Sequence, residues 1–262
     1  MDMKIHLSMV VGVSLSGMTN SVSLAYPNGP GMYVTDAAPF CASCHAATKA
    51  EYMPEMPADL AKGETPENKH YRAVNAMMPP SPYVELTSEE RAAIIDEARF
   101  IDERTTVTLD APRQVAASAQ IEVRVKAKGG NGPAIGVMLV DKALRYQSRP
   151  ISAAGWQIIG PPQISGQDGK PQTKWLDGRI TGLAKNLSFI LITDQQYDRK
   201  KQVFPAGDVV FKLQAPSTPG RYSLCAALLY GTENATTAAV FQRPSGRILF
   251  SEEIAVTVGS PS

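Results

Sequence analysis

The 262-residue chain is poor in the residues that most often carry chemistry, with three cysteines, three histidines and two tryptophans. Three cysteines exclude a disulfide framework of the kind that holds small secreted domains together. Charge of neither sign is in excess: 26 Lys and Arg face 25 Asp and Glu, a formal net charge of +1. That balance excludes the basic field of a nucleic-acid binder and the acidic run of a solvating tail. There is no HExxH, no Gly-rich phosphate loop, no Ser/His/Asp set with a supporting motif, and no internal repeat. The apolar stretch from Leu7 to Leu24 is interrupted by Ser16, Gly17, Thr19 and Asn20, which makes it weak for a membrane helix. Glycine and proline are plentiful, at twenty each, and predict many turns and a β-rich portion.

Two of the three cysteines stand in Cys41-Ala42-Ser43-Cys44-His45. This C-x-x-C-H spacing is the attachment signature of a c-type haem. Each thiol can add to one haem vinyl group, and the two-residue spacer lets both sulfurs reach one porphyrin edge. His45 follows as the proximal axial ligand of the iron. A zinc site would need a second ligand pair that the chain does not offer. A thioredoxin-like pair opens a helix after a β-strand, and Ala37-Ala38-Pro39-Phe40 is not a strand. The expected cofactor is therefore one covalent haem c. Cys225 is left over in the apolar run Leu224 to Leu229 and reads as a small core hydrophobe.

In chain order, residues 1–25 read as a signal peptide. Lys4 and His6 open it, and Ser23-Leu24-Ala25 places small residues where a signal peptidase would cleave before Tyr26. An uncleaved N-terminal anchor is the alternative. Either way the expected location is the periplasm or another exported compartment, where covalent haem attachment belongs. Residues 26–40 are rich in Pro and Gly and predict irregular structure. Ala46 to Tyr52 predicts a short helix stopped by Met53-Pro54 and Met56-Pro57; Ala58 to Glu67 predicts a loop, and Lys69 to Met77 a helix ending before Pro79 and Pro80. The strongest helix signal runs from Ser88 to Glu103. Thr87 and Glu90 form a capping box, and Ile94, Ile95, Ala98 and Ile101 recur on one face, with Asp96, Glu97, Arg99, Asp102 and Glu103 expected to face water.

The order of C-x-x-C-H, then Met78-Pro79, then the helix from Leu86 to Phe100 resembles class I cytochrome c, over residues of about 30 to 104. The resemblance implies a small helical haem domain in which Met78 is the distal iron ligand. Met77, Met53, Met56 and His70 are the other candidates, and a vacant distal site is a further one. Pro- and Gly-rich residues stand where that family has an N-terminal helix, which implies a trimmed domain or one completed by contacts from elsewhere.

Beyond residue 104 the period changes from helix to strand. Thr106 to Leu109, Ala119 to Lys126, Ile135 to Val140, Leu187 to Thr193, Val209 to Leu213, Arg221 to Leu229 and Ile248 to Val258 predict about seven short strands. Their turn-punctuated spacing predicts an antiparallel sandwich, and Pro219-Gly220-Arg221-Tyr222 is similar to the tyrosine corner of immunoglobulin-like domains. Trp156 and Trp175 read as packing or rim residues, and the loop from Gly155 to Trp175 is long for a sandwich.

The expected fold class is α+β multidomain: a signal peptide (1–25), a cytochrome c-like haem domain (26–104) and an immunoglobulin-like β-sandwich (105–262). The expected function is single-electron transfer through Cys41, Cys44, His45 and Met78 by an exported, metal-binding protein. It would be docked on redox protein partners in a larger complex, with no nucleic-acid partner and with membrane association possible only through a partner or an uncleaved N-terminus. The alternatives are a haem enzyme or gas sensor with an open distal site, and a structural or adhesion module with an accessory haem. If Met78 is the distal ligand, the sulfur-to-iron charge-transfer band of the oxidised protein is lost in Met78→Ala; a band that persists assigns the ligand elsewhere.

Overall fold

The computed structural model describes residues 57–63, 65–76, 83–143, 149–173, 187–232 and 247–259. Three helices come first: α1 (Ala58–Gly63), α2 (His70–Asn75) and α3 (Ser88–Asp102). Eleven strands follow: β1 (Thr106–Asp110), β2 (Gln114–Ala116), β3 (Gln120–Lys128), β4 (Ile135–Val140), β5 (Gln157–Ile158), β6 (Gln163–Ser165), β7 (Phe189–Ile192), β8 (Ala206–Gln214), β9 (Gly220–Tyr230), β10 (Arg247–Phe250) and β11 (Ile254–Gly259).

The strands form two sheets. One has the order β1-β3-β8-β5, with β6 also on β8; the other runs β2-β11-β9-β4-β7, with β10 also on β9. Every pairing is antiparallel except that of β2 with β11, which is parallel. Residue type separates the two sheets. Along β3 the sequence alternates, so Val123, Val125 and Ala127 point inward while Glu122, Arg124 and Lys126 face water. Strand β4 and the second half of β9 are continuous apolar runs, and they are buried on both faces. Val123 and Val125 of β3 and Val209, Phe211 and Leu213 of β8 pack with Val137, Leu139, Leu224 and Leu228 of the second sheet in one core.

Helix α3 begins where the capping box predicts. Thr87 Oγ1 accepts from the Glu90 N–H at 3.2 Å, and Glu90 Oε2 accepts from the Thr87 N–H at 2.8 Å. Its apolar face is shared between two cores. Ile95 and Ala98 pack with Tyr71 and Val74 of α2 and with Tyr83, while Ile101 belongs to the sandwich core.

That division overturns the expected α+β multidomain class. Among the described residues the chain is two β-sheets with three α-helices, only one of them longer than six residues, and no helical cytochrome c-like domain stands ahead of the sandwich. The physical reason is that the last turn of α3 is built into the sandwich. Thr105 Oγ1 donates to Ile101 O at 2.9 Å, and Thr105 lies against Gly129 at the end of β3. A Cβ on Gly129, whose φ is +145°, would sit 2.2 Å from that hydroxyl.

Local expectations are corrected as well. Residues 58–63 are helix α1 and not loop, with Ala61 N–H donating to Pro57 O at 2.9 Å. The expected closing strand is two strands, because the chain breaks at Ser251, whose hydroxyl accepts from the Ala226 N–H at 2.9 Å. The long loop after Gly155 carries β5 and β6, both paired to β8. The tyrosine corner is present in its essential bond: Tyr222 OH donates to Thr218 O at 2.8 Å. Trp156 packs edge-on against Tyr222 at 6.3 Å, so it is a core residue as expected.

Phe211 is fully buried at the centre of β8. Phe211→Ala is expected to cost about 3–5 kcal/mol in denaturant-induced unfolding, through lost burial and the cavity left behind.

Candidate functional site

The residues expected to hold haem, Cys41, Cys44, His45 and Met78, lie outside the described residues, as do Met53, Met56 and Met77. His70 is described: it opens α2, its ring edge-on to Tyr71 at 6.1 Å. The description of the chain as a haem-iron, metal-binding cytochrome gains nothing here and is corrected. Among the described residues no group of three or more His, Cys, Asp or Glu could hold a metal ion, and what they form is a two-sheet β-sandwich. The structure does define the ground on which the motif-bearing segments are tethered. Pro57 takes over from the segment that carries Cys41 to His45, and Ala76 and Tyr83 flank the stretch that carries Met78.

Helices α2 and α3 meet through Tyr71, Val74, Ile95 and Ala98. On their outer side is an open cleft of about 390 Å³, lined by Glu67, Asn68, Tyr71, Arg72, Asn75, Ile95 and Arg99. The Arg99 guanidinium lies over the Tyr71 ring, 5.3 Å from its centroid.

Beneath the cleft the helix pair is fastened to the sandwich by Asp102. Its Oδ2 accepts from Tyr71 OH at 2.9 Å and from Arg247 Nη2, and its Oδ1 accepts from Tyr230 OH at 2.7 Å and Arg247 Nε at 3.2 Å. Four donors from α2, β9 and β10 thus converge on one carboxylate. The Arg247 side chain is 0 % exposed and that of Asp102 10 %. Burial disfavours the charge on Arg247, but the Asp102 carboxylate together with the Tyr230 and Tyr71 phenols outweighs it and holds the guanidinium above its usual range. Burial and the same carboxylate push the phenols of Tyr71 and Tyr230 upward, so both stay protonated donors. Asp102 was expected to face water. The helix pattern places it beside polar neighbours, and nothing local signals a buried arginine far along the chain.

A second clamp lies at the surface. Arg199 pairs with Asp96 at 2.7 Å and with Glu97, and Tyr197 OH also donates to Glu97. Arg199 and Arg104 cover the Phe100 ring at 4.4 and 3.9 Å, and Phe100 stacks on Phe204 at 6.0 Å. Burial, with Glu97 behind it, pushes the Tyr197 phenol upward.

Elsewhere a second cleft, about 640 Å³, is lined by Gln167, Gln172, Gln195 and their neighbours. Its amides are committed to the backbone. Gln172 exchanges two bonds with Thr193, at 2.8 and 3.0 Å; Gln167 joins Gln196 and Phe204; Gln195 joins Thr193 and Ala206. These side chains stand in for a missing strand ladder. Cys225 is buried on β9, where burial pushes its thiol up to about 12.

The fold and site define a two-sheet β-sandwich protein with a helical lead-in fastened to it through a buried carboxylate. No protein-family model matches the chain, and no curated protein matches it in sequence. Among solved structures it is similar to the CARDB domain of the PF1109 protein from Pyrococcus furiosus, at 12% identity and TM-score 0.26 over 59% of this chain and 87% of that one. It is also similar to the C-terminal domain of the Streptococcus pyogenes antigen I/II-family protein AspA, at 9% identity and TM-score 0.34 over 58% of this chain. That match spans 46% of the AspA chain, under half its length. Likeness this loose leaves the fold resting on the strand pairings themselves.

Asp102→Ala is expected to cost about 3–5 kcal/mol, because it leaves the Arg247 charge buried without its partner. The double variant Asp102→Leu with Arg247→Met is expected to cost less than the single one; a double loss equal to the sum of the two single losses in a double-mutant cycle would show that the charges are not coupled. For Cys225, the raised folded-state value means that stability is complete below about 9 and declines as pH rises toward about 12, because the unfolded chain loses its thiol proton first. Unfolding midpoints across that interval, compared with Cys225→Ala, measure the effect.

Proposed function

We propose that the chain is an exported β-sandwich module, structural or adhesive in role, that carries one accessory haem c on its N-terminal segment. The observation that carries this reading is the composition of the core. Among the described residues the large buried cluster runs from Ile101 to Val258, so the core is built from the strands and the last turn of α3. The donor set suits the cofactor: Cys41 and Cys44 would supply the two thioether links and His45 an axial nitrogen. When bound, the group supplies reversible one-electron exchange at iron. The chain's own contribution is to hold α2 and α3, which flank Met78 in sequence, against the sandwich.

The second reading, a docked subunit that passes single electrons to a redox partner in a periplasmic complex, is favoured by Met78-Pro79 between α2 and α3. A methionine thioether on the distal side would stabilise reduced iron and leave no open position for gases or peroxide.

The deciding experiment is the double variant Cys41→Ser with Cys44→Ser, produced beside the parent protein in a host with covalent haem attachment. The parent is expected to carry the mass of one haem and the variant none, with the same β-rich circular dichroism and unfolding midpoint in both. A variant that fails to fold, or melts far below the parent, overturns the accessory role. Ready carbon monoxide binding by the reduced parent would count against the electron-transfer reading.

A further inference from the structure

We infer that Asn131, in the turn between β3 and β4, is a site of self-modification: the main-chain nitrogen of Gly132 attacks its carboxamide, and the residue becomes aspartate or isoaspartate as the protein ages. The first ground is the attacking group. Three asparagines stand among the described residues, at 68, 75 and 131. In each case the attacker would be the N–H of the next residue. Lys69 N–H donates to Thr65 O at 3.1 Å, and Ala76 N–H donates to Ala73 O at 3.2 Å. Gly132 N–H donates to no acceptor among the described residues. Glycine also brings no Cβ to crowd the approach.

The second ground is the group attacked. Asn68 commits its amide to Lys62 O at 2.7 Å. Asn131 Oδ1 is buried with no hydrogen-bond partner, so no donor fixes the carboxamide through that oxygen. Asp168-Gly169 offers the same glycine after a carboxyl group, yet it is locked. Gly169 N–H donates to Gly166 O at 2.9 Å, and Asp168 Oδ1 accepts from Lys170 N–H at 3.0 Å. Hydrogen bonding therefore singles out Asn131 within the fold.

The chemistry needs only water. Gly132 N loses its proton to hydroxide and forms a bond to Asn131 Cγ. The Cγ–Nδ2 bond breaks, and the nitrogen leaves as ammonia with a proton taken from water. The product is a five-membered imide. Water added at Cγ reopens it to aspartate with the main chain restored. Water added at the Asn131 main-chain carbonyl carbon instead leaves isoaspartate, with the chain rerouted through the side-chain methylene. The turn has little room for either product. Asn131 N–H donates to Gly231 O at 3.0 Å, and Gln195 N–H donates to Pro133 O at 2.9 Å. A Cβ on Gly130 would lie 3.0 Å from Cβ of Tyr230, the residue that grips Asp102. Aspartate puts a charge where a neutral oxygen already lacks a donor, and isoaspartate lengthens a pinned main chain. The modified turn is therefore expected to loosen the end of β9.

The test ages the purified full-length protein in mildly alkaline buffer and maps its peptides by mass spectrometry, beside Asn131→Gln, Gly132→Ala and the parent unfolded in urea. In the folded parent, conversion at Asn131 is expected to outrun that at Asn68 and Asn75 by about tenfold or more, because the attacking nitrogen there is neither hydrogen-bonded nor crowded. It should quicken as pH rises, since the attacking nitrogen must be deprotonated. Gly132→Ala should slow it, and Asn131→Gln should abolish it. The aged parent is also expected to unfold at lower denaturant than the fresh one, while aged Asn131→Gln keeps its midpoint. Conversion at Asn131 in urea but not in the folded parent, or at a rate no greater than at Asn68, would overturn the assignment. Equal midpoints for fresh and fully converted parent would overturn the link to β9.

Discussion

Asp102 is the constraint on which the arrangement of helices and sheets depends. A carboxylate and a guanidinium taken out of water each lose several kcal/mol of hydration, and their attraction repays this only when the remaining donors and acceptors are also satisfied. Here the carboxylate is saturated by two phenols and two guanidinium nitrogens. The arginine is less complete: its Nη1 is buried with no hydrogen-bond partner. Such a cluster adds little to stability relative to an apolar replacement. Its effect is geometric, because α2, the end of α3, β9 and β10 must all be in place for the carboxylate to receive its full set of bonds.

How much of this was legible in the sequence differs by element. The alternation in β3 and the unbroken apolar runs of β4 and β9 showed themselves because each reflects a simple burial pattern, one face or both. Helix α3 was legible from Thr87 and Glu90, which are a local signal. Strands β2, β5 and β6 are two or three residues long and have no period to detect; only their pairing with β8 or β11 defines them. The role of Asp102 was illegible for the opposite reason. Its partner Arg247 is 145 residues away, and on the helix surface the aspartate looks like its neighbours. The expected helical domain failed at the same point, since a motif read up to residue 104 does not reveal that Ile101 packs under a later sheet. Cys41, Cys44, His45 and Met78 lie outside the described residues, and the haem expected of them rests on residue type, spacing and the resemblance alone.

The two clamps on α3 differ in kind. The outer one, built on Arg199, Asp96 and Glu97, is open to water, and ion pairs of that sort are screened by salt. The aromatic stack of Phe100 on Phe204 beneath it is not. The inner one is buried, and its arginine is out of contact with water. A helix held at both sites is fixed to the sandwich from two sides.

Tyr230 and Arg247 are cross-strand partners at the mouth of the β9–β10 hairpin, and both grip the same aspartate. The two ends of the intervening chain are therefore pinned side by side, whatever lies between them. Closing a longer excursion there adds only about 0.6 kcal/mol for each doubling of its length. The hairpin mouth is thus a port in the scaffold: with its ends fixed through Asp102, a change in the length of what joins them costs the frame little.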